Sequence, residues 1–358
     1  MGGPEMATQI KTVTSPSFKE DEQALIISDL LALKKIQIGE FLSGIGLAKS
    51  GTKEELRARI EAALENESLS LSQIVQFLDS VIPWGKQHVY LFKGPTSSIA
   101  DWRDEDWVAR QLKEHRLGKY YNASLPLVLP DKMNVSSILH DPRRLRITAI
   151  KRRDWWERNS DYDNTAMTDE GEDVELRAFV HRVTRSLVAF EWDLVANNAF
   201  LQISQLPTGF DYSEVADEFF ELIARWLDRS MFSVVDLRPP ITKLHALEES
   251  GAGETRSHGI NYRTMQGRRF EGKSASPADP LLGEASIDAA MKAVRKSGVG
   301  HLGNFYWTPT NGAPVHTHVL DSDVHVIVVG FKNRVNFPTP NNEQTVRYVL
   351  SRVRSHCV

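Results

Sequence analysis

The sequence predicts an α+β fold, in which a small N-terminal helical module precedes a larger body of antiparallel sheets with flanking helices. Three observations predict it. Between Ile26 and Leu64, apolar residues recur at helical spacing around a glycine-bearing turn. From Arg144 to Gln205 the apolar pattern changes to period two in successive short runs. Ser213–Leu227 then carries a helical face of Val215, Phe219, Leu222, Ile223 and Trp226, and the last hundred or so residues mix both periodicities again.

Met1–Lys19 is polar and contains Pro, Ser and Thr, so it reads as a flexible arm. Residues 20–67 form the helical module. Gly44, Gly46 and Gly51 end one helix and let the chain turn. Thr52 opens the next helix, and Glu55, three residues on, completes a capping box. Leu56, Ile60, Ala63 and Leu64 repeat along one face of that helix. Helices this short bury little alone, so Leu30, Leu31, Leu33, Phe41, Leu42, Leu47, Leu56 and Ile60 are expected to share one core.

The body is expected to begin at residue 68. Leu69–Ile82 reads as an amphipathic helix with Leu71, Ile74, Val75 and Leu78 on one side, ended by Pro83. His88–Phe92 reads as a strand, and Asp101–Arg116 as a charged helix carrying Trp102, Trp107, Val108 and Leu112. Strands at Leu145–Ile150, Val174–Val183, Ser186–Leu194 and Phe200–Leu206 form a meander, with turns at Thr184-Arg185 and Asn197-Asn198. Pro239-Pro240 starts a helical segment at Ile241–Leu247, and Glu248–Ser257 is a linker. The body thus divides into an α+β domain, 68–250, and a second sheet-plus-helix unit, 251–358. In the latter, strands are expected at His258–Met265, His301–Trp307, Val315–Leu320 and His325–Val335. Helices are expected at Ile287–Lys296 and Glu343–Arg354.

Composition narrows the function. The 358 residues are 41% hydrophobic and 25% charged, ordinary values for a globular protein, and suffice for two or three domains. A net charge of −4 excludes a uniformly basic nucleic-acid coat, so any polyanion contact must be local. Cys357 is the single cysteine, which excludes an intramolecular disulfide or a cysteine-based zinc site and fits a reducing compartment. The chain has no run of eighteen apolar residues and no N-terminal apolar leader. The expected location is intracellular, cytoplasmic or nuclear, with no membrane partner.

The order Leu30/Leu31, Phe41-Leu42, Gly46-Leu47, Ser50-Gly51-Thr52-Lys53, Leu56 and Arg59-Ile60 resembles the SAP domain, a helical module of chromatin and DNA-repair proteins. The resemblance covers about residues 26–64, a tenth of the chain. It implies DNA binding, with the turn and the start of the last helix against the phosphate backbone. The matching positions here are Lys49, Ser50, Gly51, Thr52, Lys53 and Arg57. A helix N-terminus beside a lysine suits an anion on independent grounds. Within 26–66, however, six Lys and Arg face six Asp and Glu. A neutral module makes few phosphate contacts, so other parts of the chain must contribute.

The strongest signal outside the module is a basic strip of Arg143, Arg144, Arg146, Lys151, Arg152, Arg153 and Arg158, enclosing Trp155-Trp156 and opposed only by Asp154 and Glu157. Guanidinium groups pair with phosphates, and tryptophans offer stacking surfaces to unpaired bases. An acidic loop follows, with Asp161, Asp163, Asp169, Glu170, Glu172, Asp173 and Glu175. Further basic segments are Arg256, Arg263, Arg268, Arg269 and Lys273, and then Lys332, Arg334, Arg347, Arg352 and Arg354. Gly298–Gly303 matches a dinucleotide-binding glycine spacing, but a helix precedes it and a strand follows, the reverse of what that motif needs. His316, His318 and His325 with Asp321 and Asp323 are the most metal-like constellation. Glu191 with Asp193 shares a strand face but lacks the lysine of a magnesium-dependent nuclease site.

The expected function is therefore non-enzymatic nucleic-acid binding through the SAP-like module and the basic strips, without a cofactor or metal. The expected partner is DNA, with single-stranded DNA and RNA as alternatives. A metal-dependent nuclease and a protein-assembly scaffold, with protein partners or as a homo-oligomer, are the competing readings.

Overall fold

The computed structural model describes residues 11–12, 20–97, 99–125, 127–276, 278–307 and 323–357. The expected strand Val315–Leu320, together with His316, His318 and Asp321, lies outside them, as does most of the expected arm. Within that arm only β1 (Lys11–Thr12) is described, and it runs parallel to β3. No helix among the described residues is long and apolar enough to cross a membrane.

Four helices come first: α1 (Glu20–Ala32), α2 (Lys35–Gly44), α3 (Lys53–Glu65) and α4 (Leu71–Val81). Their starts are written in the sequence. Thr52 Oγ1 accepts from the Glu55 amide at 3.2 Å while the Glu55 carboxylate accepts from the Thr52 amide at 2.8 Å. Ser70 and Gln73 repeat this box at α4, at 3.2 and 2.8 Å. Leu30, Leu31, Phe41, Leu42, Leu56 and Ile60 are buried together, with Leu33 and Leu47 partly buried against them. The helical unit does not stop at residue 67. Ile74, Val75 and Leu78 of α4 are fully buried in the same core, joined by Val128 from the body. The α4 stripe of apolar residues has no other surface to cover, and fully burying each such side chain contributes about 1.5–3 kcal/mol.

The remaining elements in chain order are β2 (Gln87–Lys93), α5 (Ile99–Arg103), α6 (Glu105–Glu114), β3 (Ala123–Ser124), β4 (Asn134–Asp141), β5 (Arg144–Arg158), β6 (Asn164–Met167), β7 (Asp173–Leu176), β8 (Phe179–Asp193) and β9 (Asn198–Ser204). Then come α7 (Tyr212–Ile223), β10 (Ser233–Val234), α8 (Arg238–Glu249), β11 (Thr255–Thr264), β12 (Arg269–Lys273), α9 (Ala285–Ser297), β13 (Gly298–Trp307), β14 (Val324–Val329), β15 (Arg334–Phe337) and α10 (Glu343–Ser355). Helices and sheet segregate as an α+β fold requires.

The two expected sheet units are one sheet. Its order is β1-β3-β4-β5-β8-β9-β2-β15-β14-β13-β11-β12, with β10 also on β2, and it is antiparallel apart from the β1–β3 pair. The first long strand, β2, joins the halves by pairing with β9 on one side and β15 on the other. On one face, α6 and α7 cover Ile147, Phe190, Trp192 and Leu201. On the opposite face, α8 and α10 cover Leu91, Phe305, Trp307 and Val328, with Trp84 among them. Gly300 and Gly303 admit α8: a Cβ on Gly300 would stand 2.7 Å from that of Ile241. The glycines of 298–303 thus serve close packing, not a phosphate.

Other expectations give way for local reasons. Asp104 caps α6 through the amides of Asp106 and Trp107, so the expected helix Asp101–Arg116 breaks in two. Thr184-Arg185 is not a turn. β8 runs straight through it, paired residue for residue with β5 from Arg144↔Asp193 to Arg158↔Phe179. Because β4 and β9 flank only the first half of this pair, its outer half projects from the sheet as a two-stranded arm. The expected acidic loop carries a hairpin of β6 and β7 at the end of the arm.

Candidate nucleic-acid interface

The α2–α3 turn is built from Ile45 to Thr52. Gly46 and Gly51 hold φ of +75° and +138°, values a side chain would strain. Arg59 of α3 braces the turn by donating to the carbonyl oxygens of Ala48 and Ser50. Lys49, Ser50, Thr52 and Lys53 are all exposed, and Gly51 is half-buried. The Lys49 stem lies over Gly39 of α2, where a Cβ would meet it at 3.6 Å. Lys53 and Arg57 line a cleft of about 280 Å³ with Ser28, Leu31 and Glu54. Arg57 also pairs loosely with Glu61 at 3.7 Å. Among the described residues, neither Lys49 nor Lys53 has an ion-pair partner. The six positions thus run along the turn and the first turns of α3, with Lys49 beside α2, Lys53 and Arg57 beside α1, and both lysines exposed. Glu54 and the capping Glu55 temper their field.

The basic strip is divided. Alternation along β5 sends Arg144, Arg146, Arg152 and Trp156 to one face and Lys151, Arg153 and Trp155 to the other. Lys151 and Arg153 both reach Glu218 of α7, at 2.5 and 3.3 Å. Arg152 is held by Asp154 at 2.9 Å. The Arg146 side chain is 11% exposed: it donates to Glu191 at 2.9 Å and lies 5.0 Å from the Trp84 ring. Trp155 is half-buried, whereas Trp156 is 67% exposed with the His181 ring 5.1 Å away. The expected continuous cationic surface is thus broken up: Arg146, Lys151 and Arg153 are paired with carboxylates of other elements, and Arg152 with one of its own strand. Arg144 and Trp156 remain exposed.

Glu191 is the centre of this bracing. Arg347 of α10 grips it too, at 2.6 and 2.9 Å, and places its own guanidinium 5.1 Å from the same Trp84 ring. Burial alone would raise the Glu191 carboxyl, but Arg146 and Arg347 outweigh it and hold the group below the ordinary carboxylate range. Asp193 accepts from the amides of Val195 and Ala196. Glu191 is taken up by the two arginines, and no group of three or more potential ligands occurs among the described residues. Asp323 pairs with Arg256 at 2.9 Å, and His325 is in hydrogen-bond contact with Asn304 at 2.6 Å.

Arg185 ties the arm to the helical unit. Its side chain is 1% exposed, pairs with Asp79 of α4 and donates to the Leu127 carbonyl at 3.0 Å. In the C-terminal half, Arg268 is exposed, and Arg269 pairs with Glu271 at 2.7 Å. Arg347, Arg352 and Arg354 turn inward, to Glu191 and Glu343, to Glu254, and to the carbonyls of Phe92 and Ala199. Apart from Glu343, four residues before Arg347, these partners lie far away in the chain, so the sequence carries no signal for them. No protein-family model matches the chain, and no curated protein matches it.

Proposed function

We propose that this is a non-enzymatic nucleic-acid-binding protein whose SAP-like helical unit lays the α2–α3 turn against a phosphate backbone. One observation carries the reading: Lys49 and Lys53 stand exposed on either side of Gly51, on a turn fixed by the Thr52–Glu55 box and by Arg59. A fixed turn presents its charges without losing conformational freedom on contact, which favours weak but definite phosphate binding. The neutral balance of the unit keeps that contact modest, so the rest of the body adds to it as a second tethered site. The engagement of Glu191 and Asp193 within the fold supports a binding role over a nuclease.

The test is a salt titration of binding to a labelled duplex. Reversing both lysines, Lys49→Glu with Lys53→Glu, should weaken binding about tenfold or more and lower the salt slope by roughly 2, one unit per phosphate contact. Both side chains are exposed, so thermal unfolding should stay unchanged. An unaltered binding curve overturns the reading.

A further inference from the structure

Among the described residues, helices cover the second half of the sheet mainly on one side. Along β13, β14 and β15, fully buried residues alternate with half-buried ones, the pattern of a sheet packed on one face and open on the other. The α8, α9 and α10 helices all lie on the buried face, against Phe305, Tyr262 and Val335. On the open face no described helix packs beyond Tyr212 at the start of α7, which meets His88 and Arg334 at the platform's inner edge.

The registers set the open face in rows across the strands. One row runs Tyr90, Arg334, Val329, Leu302, Asn261. The next runs His88, Asn336, Ile327, Asn304, Gly259, Lys273. A third holds His325, Tyr306 and Arg256. Rows stand about 7 Å apart. Tyr306 and His325 lie flat on each other, centroids 4.7 Å apart and planes 13° apart, with the Arg256 guanidinium 5.1 Å from the tyrosine ring. At the other end of β13, His301 stacks on Phe331 at 4.2 Å and 12°, and that phenylalanine is 51% exposed. Lys332, Arg263 and Arg268 are exposed around this end. Lys332 and Arg334 from one C-terminal basic segment and Arg256, Arg263 and Arg268 from the other, separate in the chain, thus meet on one aromatic sheet surface, with Asp211, Glu271 and Asp323 among the acids beside them.

We infer that this open face of β13, β14 and β15 is a platform for single-stranded nucleic acid, with bases stacking on the outer ring faces of His325 and Phe331, which Tyr306 and His301 back, and phosphates meeting Lys332, Arg263 and Arg268. The inference rests on the nucleic-acid reading for its ligand class but uses a different surface from the α2–α3 turn. Three features select the ligand. In each ring pair His325 or Phe331 keeps one face turned away from its stacked neighbour, a π-face that any base can stack on. Asn304 and Asn336 between them supply amide donors and acceptors suited to base edges. The surrounding cations complement a polyanion, and the half-exposed sheet is too flat to enter a duplex groove.

Binding of the full chain to a short labelled single strand, as DNA and as RNA, and to the duplex of the same sequence tests this. Tyr306→Ala, which removes the ring that holds His325 upright, should weaken single-strand binding roughly five- to hundredfold, the worth of one stacked base, while Tyr306→Phe keeps that backing and should bind as the parent does. Duplex binding should be unchanged in Tyr306→Ala and reduced by the Lys49/Lys53 reversal, which in turn should spare the single strand. The DNA and RNA arms decide which polymer the platform prefers. Lys332→Glu with Arg263→Glu, both at exposed positions, repeats the test should Tyr306→Ala lose its fold, and should cost at least tenfold. Equal single-strand affinity in a folded Tyr306→Ala protein or in the charge-reversed protein, or no single-strand binding by the parent, overturns the inference. Loss of the duplex effect alone overturns only the role of the turn.

Discussion

Arg146 stands directly across the β5–β8 pair from Glu191 and donates to its carboxylate at 2.9 Å. With Arg347 also on it, two guanidinium groups share one buried acid, and they lie 5.0 and 5.1 Å from the Trp84 ring. The strand pair, the C-terminal helix and the end of the helical unit therefore meet at a single charge.

Removing that charge should be costly. Glu191→Gln leaves one buried guanidinium without a counter-ion, and the expected loss is about 3–5 kcal/mol. A clear fall in the urea midpoint checks it. The pH sign follows from the direction of the shift. The folded-state value is depressed, so the stabilisation is present above the ordinary glutamate range and is lost as pH falls through the folded value. The parent and Glu191→Gln curves should converge in acid. A midpoint gap that stays constant from neutral pH into acid would show that Glu191 is not held as a buried anion.

Asp29 on α1 behaves oppositely. Burial, only partly offset by Arg185, pushes its carboxyl up to about 6. The folded chain then binds this proton more tightly than the unfolded chain, so its contribution declines as pH rises from about 4 to 6 and is unfavourable above. Asp29→Asn should be more stable than the parent at neutral pH by about 1–3 kcal/mol, with the gap closing toward pH 4. Denaturant midpoints measured across that window check it.

Arg185→Met should loosen the helical unit from the arm. It strands Asp79, whose carboxyl is already raised by burial and restrained by Arg185. The expected cost is about 3–5 kcal/mol, read as earlier proteolytic cleavage between α4 and β2 and a lower midpoint.

Gly300→Ala should destabilise by about 1–3 kcal/mol, because the added methyl meets the Ile241 side chain and the Arg238 carbonyl, the latter at 2.9 Å. Thermal unfolding gives the answer. A neutral effect would mean that α8 shifts freely.

The helical unit was the most legible part of the chain. Its caps are local: Thr52 and Glu55 are three residues apart and meet as their spacing implies. The core from Leu30 to Ile60 is equally local. The break at 68 was misleading because Ser70 is a strong helix start, and a start says nothing about which core the helix joins. The unity of the sheet was invisible because β2 and β15 lie some 240 residues apart and nothing in either strand names its neighbour. The same limit governed the charged residues. Arg146, Lys151 and Arg153 of the strip, and Arg185 beyond it, find Glu191, Glu218 and Asp79 on other elements and so brace the fold. The ring pairs of the open face were missed for that reason too: Tyr306 and His325 become neighbours only through the β13–β14 register.

The central seat of β2 has a consequence for how the chain matures. Made early, the Gln87–Tyr90 stretch finds β9 after about a hundred further residues, but its second flank stays bare until Arg334–Phe337 has been synthesised. A growing polypeptide thus carries a sticky, half-satisfied ribbon through most of translation, and a product cut short before residue 334 keeps it permanently. Such shortened products should need chaperone capture and partition into inclusion bodies, whereas the finished chain closes its own seam as it leaves the ribosome.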